Sequence, residues 1–71
     1  MKNFYVTFSG KYRTEKHPIF ENANPDGYYL IQAKNMTSAK NIAFAKLDYY
    51  WAKIYSEKDF VKSRYPKGQL N

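Results

Sequence analysis

The chain has 71 residues, no Cys, and a formal charge of +6 from twelve Lys and Arg against six Asp and Glu. That length leaves room for one domain and one core, burying only about 60% of the surface that the unfolded chain exposes, so a deep catalytic cleft is not expected. Without Cys neither a disulfide nor a thiolate metal site can form, and packing alone must hold the fold.

Eight Tyr, five Phe and one Trp supply the apolar area for that packing, while the positive surface attracts anions. The pairing points to a binding module. The N-terminus enters an alternating stretch with no small-residue cleavage site, and the apolar runs are only a few residues long. The expectation is a cytoplasmic protein with no leader and no membrane span.

Residues 3–8 alternate with period two and read as a strand, with Phe4, Val6 and Phe8 on one face and Tyr5 and Thr7 on the other. Ser9-Gly10 ends it. Lys11 to Asn24 has neither helical nor strand period and reads as a long loop pinned by Ile19-Phe20. Its His17, the sole histidine, stands beside Pro18 between Glu15 and Glu21, without the further ligands or nucleophile that a metal or acid–base site needs. An exposed, non-catalytic His17 is expected.

Asn24-Pro25-Asp26-Gly27 is a turn signal, because Pro presets φ, Asp tolerates the third position and Gly frees the exit. A second strand follows over Gly27 to Lys34, with Tyr29, Ile31 and Ala33 opposed to Tyr28, Leu30 and Gln32. Thr37 or Ser38 can cap a helix running to about Asp48, whose buried face carries Met36, Ala39, Ala43 and Leu47, flanked by Ile42 and Phe44. Trp51 to Tyr55 returns to period two as a third strand, with Ala52 and Ile54 facing the core.

Ser56 then caps a second helix whose first turn holds Glu57 and Asp59 at the favourable end of the dipole, with Tyr55 and Phe60 as a hydrophobic staple. Pro66 stops it near Arg64 or Tyr65. The predicted architecture is a single α+β domain over residues 1–71 in the order ββαβα, with a three-stranded mixed sheet. A right-handed crossover leaves the second and third strands parallel, with the first strand between them and antiparallel to both. The first helix covers one face, and the short C-terminal helix lies at an edge or partly over the other.

Two surfaces are candidates for binding. The sheet face away from the first helix carries Tyr5, Tyr28, Trp51 and Tyr55 with Lys53, an arrangement that stacks bases while the cation meets phosphate. The alternative is that the 11–24 loop or the second helix covers this face and turns the rings into a second small core. Lys53, Lys58, Lys62, Arg64 and Lys67 form a basic cluster against Glu57 and Asp59, and Lys58 and Lys62 stand one helical turn apart. Such a cluster contacts phosphates or an acidic protein surface, or it serves as a solvated face that keeps the protein soluble. Ser9-Gly10-Lys11 lacks the upstream glycine and the following helix of a phosphate loop. No catalytic, cofactor or metal-ligating set stands out.

Phe4-Tyr5-Val6-Thr7-Phe8 with Gly10, Ala33, Ala39 and Phe44, Trp51-Ala52-Lys53-Ile54-Tyr55, and Tyr65-Pro66-Lys67-Gly68 together resemble a family of small uncharacterised proteins encoded by bacteriophages and prophages. The likeness spans most of the chain. Ser9 is inserted before the glycine, and Leu47-Asp48 stands where that family usually closes its helix with a glycine. The resemblance implies a viral origin, and small phage proteins commonly act by binding a host enzyme, a defence complex or nucleic acid. Together with small size, positive charge and the absence of catalytic groups, it leads to the expectation of a non-enzymatic accessory protein that binds and inhibits or redirects a host protein or nucleoprotein complex in the bacterial cytoplasm, such as a defence or nucleic-acid-handling complex. The alternative is direct binding of nucleic acid by a basic helix and the aromatic sheet face. No membrane partner is expected, and the sequence does not set an oligomeric state.

Overall fold

The first strand is covered on both faces, with Phe4, Tyr5, Val6 and Thr7 all buried. In the computed structural model, which covers residues 1–71, β1 (Lys2–Thr7) lies inside a four-stranded sheet ordered β3-β1-β2-β4. Both neighbours run antiparallel to it: β2 (Gly27–Ala33) with Phe4 opposite Ile31, and β3 (Lys53–Ser56) with Val6 opposite Ile54. The central, antiparallel placement of the first strand is therefore as expected.

One face of this sheet is covered by α1 (Met36–Leu47). Asn35 is its N-cap, accepting from Ser38 N at 2.8 Å, so the cap is neither Thr37 nor Ser38. Ala39 and Ala43 are fully buried, and their small side chains let the helix sit close over Phe4, Val6, Ile31 and Ala33. The 8–26 segment completes this core at one end of the sheet with Phe8, Tyr12 and Ala23, and Phe20 packs against it while Ile19 stays exposed.

The third strand begins later than its alternation suggests. Ala52 N bonds Thr7 O at 2.8 Å, and the regular ladder starts only with Lys53 opposite Thr7. From Lys53 onward the expected facing holds, with Ile54 toward α1. Before that point period two does not apply: Ala52 is exposed, and Trp51 turns to the helix side against Phe44, ring centroids 5.2 Å apart.

The predicted C-terminal helix does not form. Ser56 O accepts from Asp59 N and Phe60 N, which makes one turn, and after an extended Val61 a single 3-10 turn follows at Lys62–Arg64. Helix propensities differ by a few tenths of a kcal/mol per residue, whereas burying a Phe side chain is worth about 1.5–3 kcal/mol. The backbone accordingly bends so that Phe60 can reach the sheet.

The chain then adds a strand too short to show any period. Strand β4 (Gly68–Gln69) pairs parallel to β2, Gly27 opposite Gly68. Leu70 N donates to Tyr28 O at 2.8 Å, and the Asn71 side-chain amide pairs with both Leu30 N and Leu30 O at 2.8 and 2.9 Å, extending the ladder with a side chain. Gly27 permits this approach, since a Cβ there would lie 2.5 Å from Leu70 Cδ2 and 2.9 Å from Gly68 O.

Candidate interaction surfaces

The tyrosines of the sheet face opposite α1 do not form an open platform. Phe60 lies on Tyr5 with centroids 4.2 Å apart and on Tyr65 at 4.9 Å, while Tyr28 meets it edge-on at 5.1 Å. Tyr55 closes the group at 6.0 Å from Phe60. Tyr5 is only 2% exposed. These rings are a second small core, covered by residues 57–67 rather than by the 11–24 loop, and Trp51 is not among them.

A polar row borders the cluster. Tyr5 Oη donates to Glu57 Oε1 at 3.0 Å, Asn3 Nδ2 reaches the same oxygen at 3.4 Å, and Gln32 Nε2 donates to Asn3 Oδ1 at 3.2 Å. Burial, then the Glu57 carboxylate, push the Tyr5 phenol above its ordinary range. Burial, together with Tyr55, does the same to Tyr65.

The five basic candidates are all exposed but do not share a helix. Lys53 is on edge strand β3, Lys58 on the turn after it, Lys62 and Arg64 on the 3-10 turn, and Lys67 on the turn before β4. Lys58 and Lys62 are thus not one helical turn apart, and Val61 between them is exposed. What joins four of these cations is the strap that carries Phe60 over the sheet.

Arg13 grips Asp26 with both guanidinium nitrogens, at 2.5 and 3.1 Å, and this is the molecule's single ion pair. The pair raises the Arg13 pKa and lowers that of Asp26. Of the twelve Lys and Arg, eleven therefore have no carboxylate within 4.0 Å.

His17 is not exposed: it is 3% accessible, at the centre of an aromatic group formed by Phe8, Tyr12 and Tyr50. Its Nδ1 accepts from Ile19 N and Phe20 N at 3.1 and 2.9 Å, so the ring proton is on Nε2, which donates to Tyr50 O at 2.7 Å. The residue is structural, and it fixes the turn that follows α1.

That turn carries a group of exposed rings that sequence reading overlooked. Tyr50 N bonds Leu47 O at 3.0 Å, which closes a turn with Asp48 at its first central position. Asp48 has φ 55° and ψ −133°, the dihedrals of a type II′ turn, where glycine is the favoured residue. Trp51 Nε1 donates to Asp48 O at 2.9 Å. Tyr49 is 80% exposed and meets Phe44 at 5.1 Å, and with Tyr50 and Trp51 it lines an adjoining groove of about 350 Å³ together with Ser9, Lys11 and Tyr12. The available signal was the Tyr49-Tyr50 pair directly after the helix end.

No three His, Asp or Glu side chains are grouped as metal ligands, and no helix is long and apolar enough to cross a membrane. The chain matches no protein-family model, no curated protein and no solved structure.

Proposed function

We propose that this chain is a non-enzymatic accessory protein of viral type that docks on an anionic surface of a host protein or nucleoprotein complex in the bacterial cytoplasm and inhibits or redirects it. The observation that carries the reading is the uncompensated charge: eleven cations without a carboxylate partner on a chain of 71 residues. Charge left unpaired at a surface steers association with a partner of opposite sign. Lys58, Lys62, Arg64 and Lys67 ride on one strap and form the contact. The resemblance to small phage proteins supports the same reading.

The test is recovery of a partner from bacterial lysate by tagged protein over a range of salt, beside a Lys58→Glu/Lys62→Glu double variant. The wild type should retain a partner that elutes as salt rises, and the folded double variant should retain none. Full recovery by the variant would assign these lysines to solubility. Absence of any partner, coupled with turnover of a metabolite, would replace the reading with an enzymatic one.

A further inference from the structure

We infer that the groove beside the Leu47–Tyr50 turn binds single-stranded nucleic acid, stacking a base on Tyr49 or Tyr50 and meeting the adjoining phosphate with Lys11. This site is on the helix side of the sheet and is independent of the basic strap.

Its lining is four aromatic residues, one cation and one hydroxyl, with no aliphatic side chain. An aliphatic-free wall of rings beside an ammonium matches a strand in which each planar base comes with a phosphate. Lys11 Nζ stands 5.2 Å from the Tyr12 ring centroid, which places the charge against the floor of the groove. The net charge of +6 disfavours a cationic occupant. Asp48, the one carboxylate on the turn, is exposed to solvent, where screening weakens its opposition to a phosphate.

The second line of argument is pre-organisation. Buried His17 ties Tyr50 O, the Trp51 indole ties Asp48 O, and Asp48 is held at a positive φ. A non-glycine residue in such a conformation costs about 1–3 kcal/mol and persists only where its surroundings impose it. Here the strained turn holds Tyr49 out in solvent, where it serves no packing purpose beyond its tilted contact with Phe44. A turn whose backbone is fixed before binding loses little freedom on binding.

The experiment is a titration of Trp51 fluorescence, the single tryptophan signal, with a short oligothymidylate at low salt and with polyglutamate as the acidic-chain control. Oligothymidylate should change the signal, with affinity falling by a log–log slope near −0.7 per phosphate neutralised. Tyr49→Ala should weaken binding about 5- to 150-fold, the fold-change equivalent of one lost stacking contact, and Lys11→Glu should weaken it and flatten the slope. Both positions are exposed, and circular dichroism checks that the variants remain folded. No response to oligothymidylate, an equal response to polyglutamate, or undiminished binding by folded Tyr49→Ala would each overturn the inference. Loss of binding only in Lys58→Glu/Lys62→Glu would do so as well, by moving the contact to the strap.

Discussion

Phe60 lies flat on Tyr5, with ring planes 1° from parallel. A single side chain from the strap thereby seals the tyrosine face of the sheet. Replacing it by Ala removes the stacking on Tyr5 and Tyr65 together. Phe60→Ala should lower stability by about 3 kcal/mol, the low end for a buried Phe because Phe60 keeps some exposure. A urea midpoint equal to that of the wild type would show that the strap unfolds separately from the sheet.

Asp48 predicts a change of the opposite sign. Glycine adopts its dihedrals freely and Ala does not, so Asp48→Gly should stabilise by about 1 kcal/mol whereas Asp48→Ala should bring no such gain. For a domain of this size the gain corresponds to a rise of about 4–8 °C in thermal midpoint. Equal midpoints for the Gly and Ala variants would mean that the turn rearranges instead of holding its conformation.

His17 satisfies two backbone donors and one backbone acceptor in the core. Each polar group left unpaired when buried costs about 1–3 kcal/mol, so His17→Ala should cost about 3 kcal/mol or more. Amide exchange should accelerate first at Ile19 and Phe20. A loss under 1 kcal/mol would indicate that water replaces the ring without penalty.

Alkaline pH should weaken the tyrosine cluster. The folded state favours neutral Tyr5 and raises its pKa above the unfolded value near 10, so its contribution is complete below that pH and is lost as pH rises through the folded value. Tyr65 shifts in the same direction. Chemical denaturation at a series of pH values above 10 should show wild-type stability falling more steeply than that of Tyr5→Phe, which has no phenol to ionise there. Parallel curves would contradict the assignment.

The parts of this architecture that sequence discloses are those fixed by local rules. Alternation over residues 3–8 and 27–34 orients β1 and β2, Asn24-Pro25-Asp26-Gly27 turns as its chemistry requires, and Ala39, Ala43 and Leu47 face the core at helical spacing. What escapes is decided by distant partners. Ser56, Glu57 and Asp59 are good helix-start residues, yet Phe60 answers to Tyr5, far away in the chain. Polar neighbours suggested an exposed His17, but its two donors come from the backbone just after it, where no side-chain pattern records them. Trp51 and Ala52 precede the ladder, so alternation misassigned both. The basic candidates are at the surface, while of the aromatic ones Tyr5 is buried and Trp51 lies instead beside Tyr49 and Tyr50, whose exposure follows from the turn at Asp48.

The sheet order also governs how such a chain assembles during synthesis. Strand β1 is made first but acquires its second neighbour only when β3 appears, and Tyr5 gains its cover only with Phe60. Pairings between remote segments slow folding, and surfaces awaiting them are prone to association. A nascent chain that stops short of residue 60 therefore presents a tyrosine-lined sheet face to its surroundings, and the abundance of lysine helps such intermediates repel one another until the strap closes.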